Sequence, residues 1–462
     1  MPIKTVVAGA PAARPPGPWD RPYRLMTTGL ILTVVGAAFE ALAVATTLPV
    51  TVEDLGGLSL YGWAFSAFML ANLVGITVAG GEADRQGPAR PFTAGVVLFA
   101  AGLLVSGLAP TMSILIAGRV VQGLGAGAIG SIAYVAVGRA YPEQARPRML
   151  ALLSSAWVVP GLIGPAIAGT IAEHIGWRWV FLGLVPLAPL AAGMALPSLR
   201  RLALSTEGPR DYRRLRAALR LTLGAGLIMG GLGRPSPLVG VALVLLGGFL
   251  AVPSLRALLP PGTLRVAHGL PAAIVAGGVI NFAFFGADAY VPLALTSIRG
   301  QMPAAAGLPL TAATLTWSTG AWLQAHLVAR HDRRWLALIG LLLIAVGTGG
   351  ILLALQPQVP VIFASVTWAV AGLGMGLAYS TTTLVVLERA TPGKEGTASA
   401  AMQLLNGLGT ALGTGLGGVV IARAGSIATG IAIQDMLMIA ALAVAATMAL
   451  RLPSGGANAE TA

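Results

Sequence analysis

The feature that most constrains this chain is a succession of long, uncharged, apolar runs separated by short segments of charges, Pro and Gly. A run of about 18 or more such residues, coiled at 1.5 Å per residue, matches the roughly 30 Å hydrocarbon core of a bilayer. The runs cover residues 28–50, 61–80, 91–109, 111–134, 149–172 and 179–196, then a shorter pair at 217–233 and 236–253. Six more follow at 270–296, 304–329, 335–355, 359–386, 398–421 and 427–450. The pattern predicts an all-α integral membrane protein with 14 spans. Composition agrees, since only 10% of the 462 residues are charged, against roughly 25% in soluble domains.

Charge placement gives the expected orientation. With the N-terminus inside, 24 of the 29 Lys and Arg fall in cytoplasmic segments and only Arg178, Arg234, Arg299 and Arg423 fall outside. Arg119 remains within a span. This is a strong positive-inside bias, and it makes the net charge of +13 a matter of topology rather than of nucleic-acid binding. Residues 1–27 read as a cytoplasmic tail, 28–197 as a six-helix bundle and 198–265 as a basic linker with two extra spans. A second six-helix bundle covers 266–451 and a disordered tail 452–462. The middle pair is short, because thirteen residues separate Arg220 from Arg234. Arg220 lengthens that span if its side chain reaches back to the interface.

Without cysteine the chain has no disulfide or thiol chemistry, and its four histidines lack metal-ligand spacing. It has no Gly-x-x-x-x-Gly-Lys-Ser/Thr loop for ATP and no readable catalytic constellation. Arg outnumbers Lys 27 to 2, which suggests a high-GC bacterial genome.

The two six-span blocks repeat. The acids Glu40 and Asp288 lie 248 residues apart, as do the Asp84-Arg85 and Asp332-Arg333 pairs. Gly-Leu-Gly-Ala-Gly at 123–127 returns as Gly-Leu-Gly-Met-Gly at 372–376, and Arg139-Ala140-x-Pro142 as Arg389-Ala390-x-Pro392, within two residues of that interval. Both copies start on the same membrane side. Parallel halves with a midplane site between them are an architecture of secondary transporters.

The loop Gly80-Gly81-Glu82-Ala83-Asp84-Arg85-Gln86-Gly87-Pro88-Ala89-Arg90 resembles the loop signature of the major facilitator superfamily, with Glu82 and Pro88 where Leu and Arg are usual. Asp84 is expected at a helix terminus, paired with a basic residue of a neighbouring helix as a conformational latch with Arg85, and Asp332 and Arg333 repeat it. Arg119-x-x-Gln122-Gly123-x-Gly125-x-Gly127 resembles the fourth-span signature of the same family. Gly161-x-x-Gly164-Pro165-x-x-Ala168-Gly169 resembles its fifth-span antiporter signature, which goes with exporters. Pro165 removes a backbone donor, and the small residues suit a helix that rocks on its neighbour. Glu40, nine residues before Pro49, stands where the fourteen-span drug/proton antiporter branch carries Asp.

The resemblance implies a fold of two six-helix bundles related by a pseudo-two-fold axis, plus two central helices. It implies a monomer in the bacterial inner membrane that has no cofactor and draws on the proton gradient. Its partners are protons, a small-molecule substrate and membrane lipid.

An intramembrane carboxyl is a natural proton carrier, since burial favours its neutral form and a nearby guanidinium its charged one. Glu40 and Asp288 are expected to face a central cavity from opposite halves, with Arg119 beside Glu40. Asn281, Tyr290, Trp317, Gln403 and Asn406 are the candidate cavity residues. The expected activity is proton-coupled export of amphiphilic, drug-like compounds. Export of an endogenous metabolite, sugar or lipid, or a sensor without turnover, stays open.

Overall fold

The computed structural model describes residues 17–202, 212–391 and 394–454. The parts of the expected tails at 1–16 and 455–462, and the linker residues 203–211, lie outside the described residues. Every long regular element among them is a helix.

The first half comprises α1 (Arg24–Leu55), α2 (Tyr61–Gln86), α3 (Ala89–Gly107) and α4 (Met112–Ala140). Its last two spans are each broken, as α5 (Arg146–Ser155) with α6 (Val158–His174), and α7 (Arg178–Leu182) with α8 (Leu187–Arg200). The breaks fall near Pro160 and Pro186, where the ring removes a hydrogen-bond donor. The linker supplies α9 (Tyr212–Leu232) and α10 (Pro237–Leu258). The second half comprises α11 (Leu270–Asp288) with the short α12 (Val291–Ser297), then α13 (Pro303–Leu327), α14 (Arg333–Ala354), α15 (Ile362–Arg389), α16 (Glu395–Arg423) and α17 (Ile427–Ala449). Taking broken helices as single spans gives 14. Thirteen are apolar and long enough to cross a membrane by composition, and α13, with its Thr, Ser, Gln and His, is the polar exception. The short middle pair is lengthened as expected, because α9 begins at Tyr212 and takes Arg213, Arg214, Arg216 and Arg220 into the helix.

The halves repeat in three dimensions. α4 packs on α2 and α3, and α15 packs on α13 and α14. α1 packs on α6 and α8, and α11 on α16 and α17. The alternate glycines explain the closest of these contacts. Gly123 and Gly127 lie against the Phe68 and Asn72 carbonyls of α2, while Gly125 between them lies against Gly95 and Phe99 of α3. Gly372 and Gly376 meet α13, and Gly374 meets α14, in the same way. A side chain at these positions would collide with backbone rather than with a movable neighbour.

Alternation of the helices gathers most arginines on one face, leaving the other with Arg178, Arg234, Arg299 and Arg423. The two halves meet along two seams, α2 with α16 and α6 with α13. The extra hairpin α9–α10 covers the first seam. Thr222 donates to the Leu70 carbonyl of α2 (3.3 Å), and Met229 lies against Gly415 of α16.

Candidate functional site

Glu40 on α1 is 1% exposed and receives a hydrogen bond from Arg119 Nη1 on α4. Burying an ion pair is costly unless its remaining atoms are satisfied. Arg119 is well supplied: Nε donates to the Ala64 carbonyl (3.0 Å), Nη1 also reaches Gln122 Oε1 (3.0 Å), and the guanidinium lies 4.2 Å from the Phe68 ring centroid. Glu40 is not, since its Oε2 has no hydrogen-bond partner, and neither has Gln122 Nε2. The expected pairing of Arg119 with Glu40 is present. The expected exposure of Glu40 to a central cavity is not, because the side chain is buried against Arg119 of α4.

The second half repeats the arrangement with a different donor. Asp288 is the last residue of α11, at the break before α12, and its Oδ1 accepts from Trp368 Nε1 of α15 (2.8 Å). Trp368 stands where Arg119 stands in the first half. Its indole is fully buried and stacked on Phe284 at 5.4 Å. The acid is thus kept, while a neutral donor replaces the cation. Asp288 is half-buried, more open than Glu40.

The latch residues behave differently in the two halves. Arg139 of α4 donates to Asp84 Oδ1 (2.6 Å) and to the Ala83 carbonyl (3.2 Å), tying α4 to the end of α2 as expected. Arg85, one residue on, is half-buried at the end of α2. In the second half Asp332 caps α14 by accepting from the Arg334 amide (2.9 Å) instead of bridging helices. Arg333 makes the bridge, to Glu388 of α15 at 2.7 Å. Each bridge spans 55 residues, so Asp84–Arg139 and Arg333–Glu388 are the same pair with its charges exchanged. Glu388, one residue from the end of α15, thereby takes the place that Arg139 has in the first half.

The antiporter-type residues line the α6–α13 seam. Gly161 lies against Thr314, Gly169 against Ala304, and Pro165 against Gly307. Gly164 faces Phe39 and Leu42 of α1 instead. The α2–α16 seam is closed by polar contacts. Tyr61 donates to the Ala289 carbonyl (3.1 Å), Ser66 to the Ala411 carbonyl (2.7 Å), and the Ser66 and Thr414 hydroxyls are 3.0 Å apart. Glu173 adds a contact across the other seam, accepting from the Ala304 amide (2.8 Å). Tyr61 and the Glu173–Ala304 contact lie toward the arginine-poor ends of their helices, and Ser66 with Ala411 and Thr414 lies deeper, near the middle of α16.

The expected cavity residues separate. Trp317 of α13 and Tyr379 of α15 meet edge-on at 5.9 Å. Asn406 of α16 bonds the Tyr379 hydroxyl (3.1 Å), and Gln403 on the same helix is exposed. Tyr379, which no sequence signal marks, completes this group. Exposed Tyr134 of α4 approaches it from the other half. Asn281 is instead buried, donating to Gly277 of its own helix (2.8 Å). Tyr290 is also no cavity residue. It is 1% exposed, its hydroxyl bonds the Thr414 carbonyl, and its ring lies 5.2 Å from Tyr61 in the closed seam.

The family model described as Major Facilitator Superfamily matches residues 28–414. The chain belongs to the major facilitator superfamily. It is 28% identical over 401 residues to a Mycobacterium tuberculosis protein named "probable multidrug-efflux transporter", covering 82% of this chain and 84% of that one. It is 27% identical to the multidrug transporter protein MdtP of Bacillus subtilis, covering 88% and 76%. An uncharacterised MFS-type transporter of M. tuberculosis is 29% identical over 89% of this chain, which spans only 61% of that relative's length. A POT family transporter, solved in complex with a thioalcohol-conjugated peptide, shares the fold with a TM-score of 0.70 at 15% identity, covering 94% of this chain and 97% of that one. The bacterial homologue of Spinster, solved inward-facing, has a TM-score of 0.65 at 15% identity, covering 94% and 97%. This superfamily member has the many apolar helices of a multi-pass membrane protein.

Proposed function

We propose that the protein is a proton-coupled exporter of amphiphilic, drug-like compounds working by alternating access. The observation that carries this reading is the repeated carboxyl–donor pair, Glu40 with Arg119 and Asp288 with Trp368, one in each half. Intramembrane carboxyls are expensive and mark proton pathways. Glu40 retains an oxygen without a partner, an open position for a proton. Protonating Glu40 weakens its hold on Arg119 and releases a cation. That change differs between two conformations and can bias their equilibrium. Export of drug-like molecules is supported by the α6 glycines at the seam and by relatives named for multidrug efflux. The mixed aromatic and polar group of Trp317, Tyr379, Gln403 and Asn406 suits amphiphilic substrates without demanding one shape.

In this reading the arginine-rich face is cytoplasmic, as are the termini, in a bacterial cytoplasmic membrane. The protein acts as a monomer and takes its energy from the proton gradient, with no cofactor.

The test uses proteoliposomes with an imposed pH gradient. Internal pH is followed while lipophilic cations, sugars and lipids are added, for the parent, Glu40→Gln and Asp288→Asn. Proton movement driven by amphiphilic cations and lost in either variant supports the reading. Substrate movement with no proton movement in the parent overturns it.

A further inference from the structure

The second half holds another intramembrane acid that neither the repeat nor a motif announces. Asp435 lies eight residues into α17, about 12 Å from its start at 1.5 Å per residue. It is 3% exposed and makes no hydrogen bond or ion pair with any described residue. It borders a space too narrow for a water, walled by Ala287, Tyr290, Val291, Ile351, Trp368 and Ile431.

No cation faces it. Of the titratable groups on the elements packed around it, Tyr290 is committed to the Thr414 carbonyl and Asp288 to the Trp368 indole. Arg299 follows α12 and bonds the carbonyls of Ala354, Gln356 and Val359. Arg333, Arg334, Glu388, Arg389, Glu395 and Arg423 stand at the ends of α14, α15 and α16. An ionised carboxylate without partner or water is too costly in such a place, and the group takes a proton instead.

Two neighbours give this acid a route. Trp368 walls the space that Asp435 borders and donates its Nε1–H to Asp288, so one indole touches the surroundings of both carboxyls. Tyr290 stands at the break between α11 and α12, bonded to Thr414 of its own half, and its ring packs on Tyr61 of α2 across the arginine-poor seam. Opening that seam therefore uncovers one wall of the Asp435 space.

We propose that Asp435 is the entry site of a two-carboxyl proton path in the second half, loaded from the arginine-poor side and emptied to Asp288 when the Trp368 indole withdraws its hydrogen bond. One O–H bond breaks on Asp435 and one forms on Asp288, and the negative charge moves the opposite way. No electron or other reactant is involved. Asp288, half-buried, then releases the proton toward the space between the halves. The inference rests on the proton-coupled reading and adds to it a site and a direction.

The first experiment is infrared spectroscopy of the full chain in liposomes, which detects a protonated carboxyl directly and needs no substrate. The parent is expected to show the carbonyl stretch of a buried protonated acid at neutral pH, absent in Asp435→Asn. Where that variant does not fold, Asp435→Glu is expected to shift the band. The second is substrate-driven proton movement in the pH-gradient vesicles, where Asp435→Asn is expected to lose most proton movement while still binding substrate. A parent without the band, or a band that neither substitution alters, overturns the site. A band assigned to Asp435 with unchanged proton movement per substrate in Asp435→Asn overturns the path. A parent that moves substrate without protons overturns the exporter reading itself, and the infrared result stands apart from it.

Discussion

At the scale of single residues, the two halves solve one problem with different chemistry. Glu40 is held by a cation and Asp288 by a neutral indole. Removing one member of a buried ion pair strands the other charge and typically costs about 3–5 kcal/mol, whereas replacing both can be nearly neutral. Glu40→Ala is therefore expected to lower thermal stability in detergent by an amount of that order, and Glu40→Ala with Arg119→Met to recover much of it. Equal destabilisation in the single and double variants would show that the ion pair is not what the fold depends on. Trp368→Phe keeps the stack on Phe284 and deletes one donor. It is expected to cost about 1–3 kcal/mol through the stranded acceptor and to change the pH dependence of transport. An unaltered pH profile would separate Asp288 from coupling.

Among the elements, α4 and α15 do the most, because each is wedged between two neighbours by alternate glycines. Gly125→Val places a side chain against the Phe99 backbone, and overpacking of this kind costs about 1–3 kcal/mol or more. Its yield and melting temperature are expected to fall well below those of Gly130→Ala, where the added methyl meets open space. Equal effects would mean that the glycines are not packing devices. Much of this was legible in the sequence. Apolar runs, Arg placement, the glycine pattern and the paired acids give the spans, the halves and the Glu40–Arg119 contact. Other parts were not. The Arg139 and Arg389 landmarks align a residue away from Glu388, which hides the exchanged bridge. Asp435 has no acidic counterpart, since Pro186 stands at the corresponding place, so a repeat search passes over it. Tyr290 sits at a helix break, where periodicity no longer fixes the direction of a side chain.

For the whole molecule, the arrangement that matters is the pair of seams along which the halves meet, α2 with α16 and α6 with α13. Alternating access requires these seams to part and re-form at the two membrane faces in turn. The exposed bridge Asp84–Arg139 contributes little to stability, roughly 0–1 kcal/mol for such a pair, so its effect falls on the balance between states. The closed seam offers a direct test, because the chain contains no cysteine. The Ser66 and Thr414 hydroxyls are 3.0 Å apart across the halves, close enough for sulfurs in their place to bond. Ser66→Cys with Thr414→Cys is expected to form a disulfide under oxidising conditions and to lock the α2–α16 seam shut. Transport should then be lost, and a reductant should restore it, while either single variant transports under both conditions. If the cross-linked protein transports at the parental rate, the α2–α16 seam does not open during the cycle, and movement must be confined to α6 and α13.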